Sequence, residues 1–309
     1  MKVLVLGGSG YIGSRLCQRL QREGITAISA SRRAGVSTLD TESMTRALHG
    51  VDAVVNCVAG SARAISQGAR VLVDAALRSG RPRIVHLSSM SVYGALEGEV
   101  TEASPRDPSI GWYARAKCEA EDILADYEGG VVMLRPGCVW GPQSDLWVGR
   151  IGRMLRAHRL GDLGAAGDGW SNLVAVEDVC SAVVASLPIA TTPGLPRVFN
   201  LAAPDSPRWN DYFVDLALAI GATPVRRIPV RQLKIDAKLF GPPLKVLEKF
   251  TSALADPLPP SLLGVFERQL HLNSELAERE LGIEWTPYED VLRRCAQAQR
   301  EAITFVTAA

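Results

Sequence analysis

The stretch Val3-Leu4-Val5-Leu6-Gly7-Gly8-Ser9-Gly10-Tyr11-Ile12-Gly13 decides the fold. Its apolar start reads as a short buried strand, its glycines as a tight turn, and the residues from Arg15 to Glu23 as the amphipathic helix that the turn opens. The glycine spacing fits G-x-G-x-x-G from Gly8 or G-x-x-G-x-x-G from Gly7. In a strand-turn-helix context such glycines let backbone N–H groups and a helix N-terminus approach a pyrophosphate, whose charge the helix dipole stabilises. Gly7, Gly10, Tyr11, Ile12 and Gly13 are therefore the expected lining of a dinucleotide site.

Outward from this stretch, β-branched runs alternate with amphipathic ones. Strands are expected over Thr26 to Ser31, Ala53 to Val58, Arg83 to Leu87 and Val131 to Leu134, and helices over Ser43 to Leu48, Gln67 to Arg78 and Tyr113 to Tyr127. This alternation predicts an α/β protein with a doubly wound parallel sheet of the Rossmann type. Beyond Gly141 prolines interrupt the pattern, which predicts a smaller, less regular C-terminal subdomain for the substrate. The expected division is 1–142, with 173–203 returning to it, against 143–172 and 204–309.

Composition narrows the partners. With 34 Lys+Arg against 33 Asp+Glu in 309 residues, the formal charge is +1, so a nucleic-acid partner is not expected. No stretch approaches the roughly 18 uncharged apolar residues of a membrane span, and a cytoplasmic chain without membrane contact is expected. The six cysteines form no C-x-x-C pair and the four histidines no H-E-x-x-H, so neither a bound metal nor a disulfide framework is expected.

The second strand says which dinucleotide. NAD is commonly recognised by a carboxylate about 20 residues past the glycine loop. Here the strand ends Ser29-Ala30-Ser31-Arg32-Arg33, where a hydroxyl and two guanidiniums suit the 2′-phosphate of NADP. NADP is thus expected over NAD, with Ser31, Arg32 and Arg33 as its readers; the alternative is a solvated turn.

Tyr113-x-x-x-Lys117 sets a phenol and an ammonium one helical turn apart, about 5–6 Å between Cβ atoms. A phenol of ordinary pKa near 10 exchanges protons poorly at neutral pH until a cation stabilises the phenolate. The pair can move a proton to or from a carbonyl/alcohol oxygen while a nicotinamide moves a hydride. The hydroxyl-rich run Ser88-Ser89-Met90-Ser91-Val92-Tyr93-Gly94 follows a strand, where ligands of doubly wound sheets bind.

With these pieces the sequence resembles the extended short-chain dehydrogenase/reductase family, the epimerase/dehydratase-like group. Leu134-Arg135-Pro136-Gly137-Cys138-Val139-Trp140-Gly141-Pro142, Val174-Ala175-Val176-Glu177-Asp178-Val179 and the tail from Leu272 to Ile283 match as well. The resemblance implies that Ser89 hydrogen-bonds the reacting oxygen, Tyr113 is the general acid/base, and Lys117 lowers the phenol pKa and holds the nicotinamide ribose. It also implies that Asp40, after a third strand, contacts the adenine, that Ala59 and Gly60 follow a fourth strand at the cofactor, and that Pro136 and Val139 border the nicotinamide. A homodimer through two paired helices, one carrying Tyr113, is implied too.

Departures from the family pattern bear on the reaction. Family dehydratases have an Asp-Glu pair where this chain has Met90-Ser91, so dehydration lacks its acid and base. Sugar-nucleotide members have Asn at Cys138 and an Arg in the segment that here runs Gly167 to Asn172. Ser91, Cys138 and Asn172 are the expected substrate contacts. Trp140, Trp147, Trp170 and Trp209, with the apolar stretch Leu233 to Leu254, could wall an apolar pocket or form core. The expected activity is an NADP-dependent reductase or dehydrogenase on a small-molecule carbonyl/secondary-alcohol pair. The alternatives are a nucleotide-sugar epimerase with tightly bound NAD and a non-catalytic NADP sensor.

Overall fold

The computed structural model describes residues 1–31, 34–235 and 260–307. Two compact units emerge, one formed by 1–137, 176–202 and 272–284, the other by 138–175, 203–271 and 285–309.

In the first unit, β1 (Lys2–Leu6), β2 (Thr26–Ala30), β3 (Ala53–Asn56), β4 (Arg83–Leu87), β6 (Val131–Pro136) and β9 (Arg197–Leu201) pair in parallel in the order β2-β1-β3-β4-β6-β9; a short strand, β5 (Gly98–Val100), lies outside this sheet. Apart from Lys2, every residue of β1 is buried, as is every residue of β3 and β6, the burial on both faces that a helix-covered parallel sheet requires. Leu4, Leu6, Val54 and Ile84 join one core cluster with Met44 and Leu48 of α2 (Thr41–Leu48), Ile65, Ala69 and Leu72 of α3 (Ala62–Arg78), and Ala116, Ala120 and Leu124 of α4 (Trp112–Ala125). The alternate residues Val3, Val5, Val55 and Val85 are also fully buried and point the other way, as strand periodicity demands. Outside that cluster α1 (Tyr11–Arg22) packs against α5 (Val176–Ser186).

Two boundaries depart from expectation. No strand stands between β2 and α2 among the described residues, so β3, which Ala59-Gly60 follows, is the third strand and not the fourth. Asp40 is instead the N-cap of α2, its Oδ1 accepting from Glu42 N at 3.0 Å and Ser43 N at 3.1 Å. Residues 272–284, expected in the smaller subdomain, sit in the first unit: Ser274 Oγ accepts from Ala202 N at 2.8 Å and Asn273 O accepts from Asn200 Nδ2 at 3.2 Å.

In the second unit β7 (Cys138–Trp140) and β8 (Leu173–Ala175) pair in parallel. Its core is aromatic: Trp209 of α6 (Trp209–Ile220) lies 5.2 Å from Trp147, 5.7 Å from Phe213 and 4.9 Å from Phe266, centroid to centroid. Trp140 and Trp209 are 2% and 0% exposed, which makes them core and not pocket wall. Of the expected apolar stretch near Leu233, residues 236–254 lie outside the described residues. No helix among the described residues is long and apolar enough to cross a membrane.

Candidate active site

The glycine turn at the end of β1 has no room for side chains. Gly7 has φ +77°, a left-handed conformation disfavoured for other residues. A Cβ on Gly13 would stand 2.3 Å from Gly7 O and 2.8 Å from Gly8 Cα. Gly10 caps α1 with no side-chain hydrogen bond, and no acidic residue occupies the helix's first turn. A twelve-residue helix whose N-terminal amides are uncapped by side chains and unopposed by carboxylates fits a pyrophosphate. Tyr11 opens that helix, where the Arg15 guanidinium stacks 4.2 Å over its ring and donates to its carbonyl at 3.0 Å. Ser31 Oγ accepts from Ala34 N at 3.3 Å, while Arg32 and Arg33 lie outside the described residues. Gly60 has φ +136° and directly precedes Ser61, the N-cap of α3, which accepts from Ala64 N at 3.2 Å.

Three expected residues converge at the end of β4. Ser89 caps a short 3-10 turn, Met90–Tyr93, by accepting from Ser91 N at 3.1 Å, and its hydroxyl lies near enough to the Tyr113 phenol to influence its pKa. Lys117, 2% exposed, donates from Nζ to Leu87 O at 2.7 Å, with Nζ 5.9 Å from the centroid of the Tyr113 ring. Burial lowers the Lys117 pKa to about 8, against the opposing pull of the Glu121 carboxylate. Burial also pushes the Tyr113 phenol above its ordinary value, the Ser89 hydroxyl working the other way. Lys117 is not among the causes that set the Tyr113 pKa in this arrangement. At neutral pH this phenol is a proton donor. Ser91 Oγ is buried and has no hydrogen-bond partner among the described residues.

Pro136 ends β6 and is buried. In the other unit Val139, half-buried in β7, pairs in register with Val174. Cys138 N donates to Asn172 O at 2.8 Å, and both residues are 2% exposed. The Asn172 amide donates to Leu270 O at 2.8 Å and its backbone has φ +46°, so this side chain ties down an irregular turn. Burial raises the Cys138 thiol pKa, which makes it a neutral, packed group.

A model of the NAD dependent epimerase/dehydratase family matches residues 3–202. The chain belongs to that family. Among curated relatives of this family member, Protein YeeZ of Escherichia coli (strain K12) is 33% identical over 159 residues, which is 51% of this chain and 53% of the relative. The chain spans about half the length of the first curated relatives it matches. A Stigmatella aurantiaca 4-hydroxy-2-methyl-3-oxo-4-farnesyl-3,4-dihydroquinoline-1-oxide ketoreductase is 27% identical, with 91% of each chain covered. Among solved structures, a Thermotoga maritima UDP-glucose 4-epimerase with UDP-glucose superposes with a TM-score of 0.76 at 20% identity, covering 98% of this chain and 100% of that one. At that identity the likeness concerns the fold.

Several groups of this family member escaped the sequence reading. Trp112, 57% exposed, meets the Tyr113 ring edge-on at 5.7 Å. Glu121, Arg135, Tyr93 and Asn200 form a buried hydrogen-bonded chain behind the Ser89 corner. Glu121 follows Lys117 by four residues, so helical spacing alone places it on the Tyr113 face. Its partners come from distant strands and leave no local signal.

Proposed function

We propose that the protein is an NADP-dependent ketoreductase, interconverting a ketone and a secondary alcohol. The observation that carries this reading is the Ser89–Tyr113–Lys117 corner, where a half-buried, neutral phenol stands beside the Ser89 hydroxyl with the buried Lys117 Nζ 5.9 Å from its ring centroid. In reduction the ketone oxygen accepts from Ser89 Oγ and Tyr113 OH, and the phenol proton passes to that oxygen as negative charge develops on it. Lys117 Nζ, anchored on Leu87 O, lies close enough to stabilise the phenolate left behind. Backbone amides from Gly10 to Gly13 hold the pyrophosphate, and Ser31 with Arg32 and Arg33 reads the 2′-phosphate. When bound, the dinucleotide supplies the hydride. The ketoreductase name of the relative matched over 91% of both chains supports the direction.

The test is NADPH oxidation against a panel of alkyl and aryl ketones. Tyr113→Phe should lower kcat/KM by about 10²–10⁴-fold, the usual contribution of a positioned general acid. An unchanged rate in that variant overturns the assignment. Interconversion of UDP-sugars with copurifying NAD and no net oxidation would establish the epimerase reading instead. We further propose a homodimer through two paired helices, one of them α4, which light scattering on the purified chain checks.

A further inference from the structure

Helix α4 presents Tyr113, Lys117 and Glu121 at successive turns of one face. They face three successive residues at and just past the end of β4, Leu87 to Ser89. Tyr113 faces the Ser89 hydroxyl, Lys117 Nζ donates to Leu87 O at 2.7 Å, and Glu121 Oε1 accepts from Ser88 Oγ at 2.5 Å. The Glu121 carboxylate is in turn gripped by both arms of Arg135 on β6, Nε to Oε1 at 2.9 Å and Nη2 to Oε2 at 2.6 Å. Both partners are almost fully buried, at 2% and 5% exposure. Arg135 Nη1 also donates to Tyr93 OH at 2.9 Å, and Tyr93 OH donates to Asn200 Oδ1 at 2.6 Å. Arg106 Nη1 reaches Glu121 Oε2 at 3.4 Å from the partly exposed side.

Such a buried pair is weak as a source of stability, because desolvation offsets the attraction and apolar replacements of similar volume are often neutral. Its geometry does more for position than for energy. We propose that Glu121, locked by Arg135, is a positioning residue: it clamps Ser88 and so holds Ser89 and the Lys117 ammonium where Tyr113 can use them. This rests on the reading of Ser89, Tyr113 and Lys117 as the reacting corner.

Electrostatics agree with the geometry. The titratable groups facing Lys117 are Tyr113 and Glu121 on its own helix, Cys57 just past β3 and His86 on β4. Burial pushes the Cys57 thiol up and holds His86 well below its ordinary value, so both are neutral at pH 7. The Tyr113 phenol is neutral as well. Glu121 is the one carboxylate in this set, and it favours the ammonium.

The experiment compares wild type with Glu121→Gln and with the double variant Glu121→Met/Arg135→Met, which removes both charges together. Folding is checked by circular dichroism, the Lys117 titration by NMR of isotopically labelled lysine, and turnover by NADPH oxidation across pH. The expected result is a folded protein in which kcat falls about tenfold with the KM for NADPH little changed. The Lys117 midpoint and the high-pH limb of activity should both move to lower pH by about one pH unit, as the loss of a nearby opposite charge requires. Folded variants that titrate and turn over as wild type overturn the proposal. Tyr113→Phe in the same assay separates the two readings: if it stays active the reacting corner is misassigned, and if it is inactive while the Glu121 variants behave as wild type, the positioning role alone fails. Should the Glu121 variants not fold, Ser88→Ala removes only the clamped hydroxyl and must lower kcat; wild-type kcat in it overturns the proposal.

Discussion

At the end of β1 the candidate anion site is made of backbone, with glycines leaving peptide N–H groups bare; at the end of β4, 3-10 turn aside, every candidate group is a side chain held by another chain segment. The first needs only the right spacing over seven residues, Gly7 to Gly13. The second needs α4, β4 and β6 all in place, since Lys117, Leu87 and Arg135 come from these three elements. A backbone site therefore fails by steric crowding at one position, whereas a side-chain site fails by losing a partner far away in sequence.

The largest expected effect comes from breaking the side-chain corner unevenly. Arg135→Met leaves the Glu121 carboxylate buried without its main partner, which should cost about 3–5 kcal/mol of stability in urea unfolding. A cost as small as that of a surface change would mean the two corners do not differ in kind. Gly13→Ala is the matching change at β1: its methyl would meet Gly7 O, so the turn must shift, and overpacking of this sort costs about 1–3 kcal/mol. Expressed as NADPH affinity by fluorescence titration, that is a loss of about 10–100-fold, with the Lys117 titration left as in wild type.

The pH response sharpens the contrast next. Burial sets the Lys117 pKa at about 8, below the ordinary 10.5 of an unfolded chain. Between these values the unfolded chain binds the extra proton, so the Lys117 contribution to stability rises with pH across this window. Measured as the difference between wild type and Lys117→Met, stability should move in favour of wild type from pH 8 toward 10. Catalysis that uses the ammonium moves oppositely and should decline above pH 8. The smallest effect is expected at Asp40: Asp40→Ala removes the α2 cap and should cost about 1 kcal/mol, whereas Asp40→Asn, which can still accept from the same amides, should cost little. NADPH affinity unchanged in both would leave Asp40 a cap with no adenine contact.

The same contrast explains what could be read before the structure. The parallel sheet and the tight glycine turn after β1 follow from local rules, apolar strands and forbidden side chains, so they were legible. Tyr113 and Lys117 were legible because helical spacing puts them on one face. Asp40 was misplaced relative to the strands because 36–39 lack a paired neighbour, and its capping role comes from a bend that no spacing rule marks. The Arg135 grip on Glu121 joins residues fourteen apart through tertiary packing, and no spacing rule foretells that. Trp140 and Trp209 had both readings open, and burial decided for core.

The clamp between α4 and β4 also has a consequence for local opening. Ser88 N donates to Leu134 O at 2.7 Å inside the sheet, while the Ser88 hydroxyl and the Leu87 carbonyl are tied to α4. The strand end cannot fray without releasing two turns of helix, so these segments form one cooperative unit. Amides of Ser88 to Val92 should exchange with deuterium at the slow rate of the α4 interior, in step with it, although they lie past the strand in a single 3-10 turn.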